Sequence, residues 1–162
     1  MIRVRGLTKR FGEVEAITDI SFDVAPGEIL TLLGPNGSGK TTTLKCIVGL
    51  DIPSAGDIAV DGIDLVQRGR EARERLSYLP QRVRLPDSLT ARETLRFYSR
   101  LRKLPATSAD SLIESSDVQL KGFADRPVGE FSGGMVQRGV AVALLPDAPV
   151  LVLDEPTASL DP

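Results

Sequence analysis

One stretch restricts the fold more than any other: Gly34 to Thr41, "GPNGSGKT". It matches G-x-x-x-x-G-K-S/T, and its neighbours suit that pattern. "ILTLL" (Ile29 to Leu33) precedes it, a short apolar run expected as a strand buried on both faces. After it, Lys40 to Val48 reads as a helix. A chain that enters a glycine-rich turn from a strand and leaves by a helix curls its backbone N–H groups inward. The positive end of the helix dipole points at the same spot. That is a cradle for phosphate oxygens. Gly34, Pro35, Asn36, Gly37, Ser38 and Gly39 supply its backbone, and Thr42 stands in the first helical turn. Lys40 can reach β- and γ-phosphates, and the Thr41 hydroxyl can hold Mg²⁺. A glycine turn with a chance lysine is the bland alternative. Average residue usage gives such a match in about one of a few hundred chains this long, so nucleotide binding is expected.

The rest of the chain allows that reading. Its 162 residues suit one domain with a real core. Hydrophobic residues make up 41% and charged residues 26%, which excludes a disordered or membrane-spanning chain. The formal net charge of −2 gives no electrostatic reason to expect direct nucleic-acid binding. A single cysteine, Cys46, excludes an intramolecular disulfide framework, fits a reducing compartment and reads as a buried, inert thiol. "MIRVRGLTKRFG" has no apolar core of a signal peptide, and "VAVALLPDAPVLVL" is broken by Pro146, Asp147 and Pro149. A cytoplasmic chain is expected.

Strand-like and helix-like segments alternate. Residues 2–5 and Ala16–Val24 look like antiparallel strands, "SAGDIAVDG" is a strand between turns, and "LSYLP" is another after the basic run "RGREARER". Thr90-Ala91-Arg92-Glu93 fits a capping box. Leu95, Phe97, Leu101 and Leu104 would then line an apolar stripe, ended by Pro105. A second short helix is expected over Asp110–Ser116, and a third from "SGG" at 132–134 to about Leu145. The predicted fold is α/β: a phosphate-loop core with an antiparallel β subdomain and a mostly helical insertion over 88–130.

"VLVLDE" (Val150 to Glu155) reads as a buried strand, and "LVLDEP" (Leu151 to Pro156) delivers two carboxylates at its apolar end. Beside a phosphate loop, Asp154 would hold Mg²⁺ directly or through water. Glu155 would orient and deprotonate an attacking water. The alternative is a pair of solvated acids capping a strand.

"FSGGMVQR" (Phe131 to Arg138) places a serine and two glycines at a helix start, a second anion site. Here the chain resembles the ATP-binding cassette (ABC) family over essentially its whole length. The family signature is LSGGQ, and this chain has Phe131 for the leucine and Met135 for the glutamine. Gln81 in "YLPQ" matches the Q-loop glutamine, Asp161 in "ASLD" matches the D-loop, and Phe11 matches the aromatic that stacks on adenine.

The resemblance implies an ATPase whose nucleotide-binding domains pair head-to-tail around two ATP molecules, with Mg²⁺ at each. Ser132, Gly133 and Gly134 of one chain would face the γ-phosphate bound by Lys40 and Thr41 of the other. Gln81 would serve both catalysis and Mg²⁺. A transmembrane permease would send a coupling helix to "QRVRLPDSL", for which a solvated basic loop is the alternative. That would place the chain at the inner face of the cell membrane. "LTARETLRFYSRLRKLP" resembles the helical region of exporter-like and copper-system members. Met135 cannot make the amide hydrogen bonds of the usual glutamine. The family's switch histidine follows the D-loop, and this chain contains no histidine. The expectation is a C-terminally incomplete domain that binds ATP and hydrolyses it poorly. A soluble ABC ATPase that remodels a macromolecular complex is the other function class, and a nucleotide-binding module without catalysis is a third.

Overall fold

The computed structural model describes residues 1–101, 103, 105, 107–114, 122–131 and 148–156. Two compact units divide the chain, one built mainly from residues 1–78 with 148–154, the other from the described residues between 79 and 131 with 155–156.

The first unit begins with a hairpin. β1 (Ile2–Phe11) and β2 (Val14–Val24) pair antiparallel, with Phe11 opposite Val14 across the turn. Gly12 sits first in that turn at φ +58°, where a tight hairpin needs a positive φ. β3 (Ala55–Val60) pairs antiparallel with the other edge of β1, and β4 (Ile63–Asp64) extends the sheet to the order β2-β1-β3-β4. β5 (Leu76–Leu79) and β6 (Val150–Leu153) form a separate two-stranded sheet. α1 (Lys40–Ile47) and the short α2 (Gly69–Arg73) complete the unit. Alternation along β1 sends Ile2 and Val4 inward, and a register shift between Val4 and Leu7 turns Leu7 inward as well; they meet Ile58, Val60, Cys46, Ile47 and Val152 in one core. Cys46 is fully buried there, as expected, and burial pushes its thiol pKa up.

Two strand expectations need correction. Residues 29–33 form no strand; Ile29 is 92% exposed and Leu33 88%. An apolar run becomes a strand only where a neighbour completes its hydrogen-bond ladder, and β6 pairs with β5 instead. β6 is a strand, but it is half-buried: Val152 points into the core while Leu151 and Leu153 are exposed.

In the second unit, α3 (Ala91–Leu101) packs on α4 (Ser108–Glu114). The capping box forms as read: the Glu93 carboxylate accepts from the Thr90 backbone N–H at 2.9 Å, and the Thr90 hydroxyl accepts from the Glu93 N–H at 3.1 Å. The expected stripe is wrong in part. Leu95 is buried, but Phe97 and Leu101 are exposed, and Leu104 lies outside the described residues. The inward face is Ala91, Thr94, Leu95 and Ser99, packed with Ala109, Ile113, Ala124, Val128 and Phe131. The third predicted helix, from "SGG" at 132–134 to about 145, lies outside the described residues.

Candidate functional site

The loop from Gly34 to Gly39 leads directly into α1. Gly39 caps the helix at φ +90°, and a Cβ there would come within 2.5 Å of the Ala16 carbonyl oxygen on β2. Only glycine lets the loop lie this close to the strand. Lys40 arches back over the loop, donating to the carbonyls of Gly34 at 2.8 Å and Pro35 at 3.0 Å. The Ser38 N–H closes the turn on the Pro35 carbonyl at 3.2 Å. Gly34, Pro35, Asn36, Gly37 and Ser38 are all exposed. The lysine ammonium is thus fixed at the loop by backbone carbonyls, which an anion can replace.

The two ends of the unit's chemistry meet at Asp154. It follows β6 and is 3% exposed. Its Oδ1 accepts from the Thr41 hydroxyl at 3.1 Å, across 113 residues of sequence. Its Oδ2 lies 3.5 Å from the Tyr78 hydroxyl. Burial first, and the Asp154 charge second, push the Tyr78 phenol up to about 12, so Tyr78 stays protonated and can only donate toward the carboxylate. Sequence reading did not single out Tyr78. Its only signal was position, one residue into "YLPQ" on a strand that pairs with β6. Thr41 and Asp154 offer hard oxygen donors, which fit Mg²⁺. Among the described residues no three His, Cys, Asp or Glu side chains gather as a protein-only cage would need. A magnesium ion shared between one or two protein oxygens and a nucleotide phosphate asks for no more.

In the second unit, the Gln81 side-chain amide donates to Glu155 Oε2 at 2.5 Å. Glu155 takes φ +46°, a left-handed backbone that few non-glycine residues adopt. Phe131 is buried and meets Phe123 edge to face, with ring centroids 5.9 Å apart. Ser132, Gly133, Gly134, Met135 and Asp161 lie outside the described residues. Phe11 stands at the tip of the β1–β2 hairpin, 50% exposed.

Two solved structures share this fold. One, described as the ATP-binding subunit of an ABC transporter, has a TM-score of 0.80 at 28% identity, matching 96% of this chain and 66% of its own. The other is a dimeric ATP-binding cassette in a post-hydrolysis state, bound to ADP and Pi. Its TM-score is 0.82 at 26% identity, over 99% of this chain and 76% of its own. The class is therefore a P-loop NTPase core carrying an antiparallel β subdomain and a helical insertion. The family model for ABC transporters matches residues 17–158, and the chain belongs to that family. Among curated relatives, the Nod factor export ATP-binding protein I of Burkholderia lata is 44% identical over 99% of this chain and 54% of its own length. The protein of that name from Rhizobium meliloti is 40% identical over 99% of this chain and 49% of its own. The chain spans about half the length of the curated relatives it matches.

Proposed function

We propose that this chain is the nucleotide-binding part of an ATP-hydrolysing subunit that powers an ABC transporter. The contact between the Thr41 hydroxyl and the buried Asp154 carboxylate carries the reading, because it joins the phosphate loop to the acid at the end of β6. Backbone N–H groups of 34–39 bind the phosphates. Lys40 exchanges its two carbonyl acceptors for β- and γ-phosphate oxygens, a stronger, charge-assisted pairing. Thr41 and Asp154 would hold Mg²⁺, which offsets phosphate charge when bound. Glu155 is the base that takes a proton from the attacking water, and Gln81 orients that carboxylate through its amide. Phe11 stacks on adenine.

The partners are a second copy or a related nucleotide-binding domain, joined head-to-tail through Ser132, Gly133 and Gly134, and a transmembrane permease at the inner face of the cell membrane. Two findings support them: the post-hydrolysis structural relative is dimeric, and the curated relatives are named export ATP-binding proteins. Among the described residues no helix is long and apolar enough to cross a membrane. With no histidine in the chain, nothing here supplies the imidazole that the family places at the γ-phosphate, and slow turnover is proposed for these 162 residues.

The test is Glu155→Gln in the transporter subunit that contains this chain. Turnover should fall by roughly 10²–10⁴, the range for losing a general base, while ATP still binds and ATP-bound dimers accumulate. Wild-type turnover in the variant would remove Glu155 from the base role.

A further inference from the structure

Lys9 and Phe11 are two residues apart on β1, near the tip of its hairpin with β2. The Lys9 ammonium stands over the Phe11 ring, 4.7 Å from its centroid. The same ammonium donates to the Ile52 carbonyl at 2.8 Å, in the loop that leaves α1. That loop is tied to β1 twice more. The Ser54 N–H donates to the Thr8 carbonyl at 2.8 Å, and the Ser54 hydroxyl accepts from the Arg10 N–H at 3.0 Å. The Lys9 head group is therefore held in place rather than left to wander in solvent, and the ring it covers is half exposed.

We propose that Lys9 is a positioning residue for the base of bound ATP, acting through Phe11; this rests on the reading that Phe11 stacks on adenine. A phenyl ring at a hairpin tip has few neighbours to fix its rotamer. The ammonium supplies one, attracted to the ring face by its quadrupole and anchored by Ile52. A cation on one face draws π density toward itself, which lowers the repulsion between the opposite face and a flat heteroaromatic. The ring is then oriented before the ligand arrives, and less freedom is lost on binding.

The experiment is calorimetric titration of Mg-ATP, and separately of magnesium tripolyphosphate, into wild type, Lys9→Met, Lys9→Arg, Phe11→Ala and the Lys9→Met/Phe11→Ala double variant. Lys9→Met keeps the stem and removes the charge. It should weaken ATP about two- to fivefold, the range of an exposed cation–π contact, and leave tripolyphosphate unchanged. Lys9→Arg should restore ATP affinity, and Lys9→Met should cost nothing further once Phe11 is alanine. Equal losses for ATP and tripolyphosphate would mean that Lys9 acts on phosphate charge, and the proposal falls. It falls alone if Phe11→Ala weakens ATP and Lys9→Met does not. If Phe11→Ala leaves ATP affinity unchanged, the stacking reading beneath it falls as well.

Discussion

Gly39 shows how little room a single residue has at this site. Its φ of +90° is strained for any side chain, and an added Cβ would press on the Ala16 carbonyl at 2.5 Å. Gly37 has a similar φ of +82°, but open space where a Cβ would go. Gly39→Ala should therefore cost about 1–3 kcal/mol of strain, and more than Gly37→Ala, because a backbone carbonyl must also move. Urea unfolding of the two variants checks this, and equal midpoints would contradict it. Residues of this kind were legible in the sequence because spacing alone defines their job. The Thr41–Asp154 contact was legible for the same reason: each residue stands at a fixed place in a motif. Lys9 and Tyr78 were not. A lysine over a ring and a phenol beside a carboxylate take their meaning from the loop at 52–54 and from the pairing of β5 with β6, neither of which any local pattern records.

At the scale of elements, the second unit is held by a small core and by charge. Arg92 donates to Asp125 at 2.7 Å and to Asp110 at 2.7 Å, and Arg96 pairs with Asp110 at 3.3 Å. This clamp joins α3, α4 and the segment 122–131. Hydrogen bonds from Arg96 and Arg92 hold Asp110 below the ordinary carboxyl value of 3.8, and those from Arg92 do the same for Asp125. A carboxyl whose pKa is lower folded than unfolded stabilises fully above its unfolded value, and loses that stabilisation as pH falls through the folded one. Hydrogen-exchange protection of α3 and α4 should thus be level at neutral pH and decline as pH drops below about 4. Arg92→Leu should flatten that dependence, and an unchanged decline in the variant would contradict the clamp. Helix starts were readable, since a capping box is local chemistry. The inward face of α3 was not, because the residues it packs against come from α4 and the segment 122–131, which no local pattern records. The run at 29–33 misled for a related reason: being apolar makes a segment fit for burial in a sheet but does not provide its neighbour.

For the whole molecule, two units each bury a core of their own, around Val4, Leu7 and Ile58 in one and Leu95 and Val128 in the other. Length and composition pointed to one domain with a real core, and the family pattern supplied the order of motifs along the chain. Ile29, Leu33, Leu151 and Leu153 are exposed in the first unit, the same unit that carries the phosphate loop. The loop is nevertheless proposed as a working anion site, because its lysine, its hydroxyl and its carboxylate are already placed. Calorimetric titration of Mg-ATP into these 162 residues, beside Lys40→Ala, tests that claim most directly. Losing a charge-assisted bond to the phosphates should weaken binding by roughly ten- to a hundredfold. Equal affinity in the two proteins would contradict it.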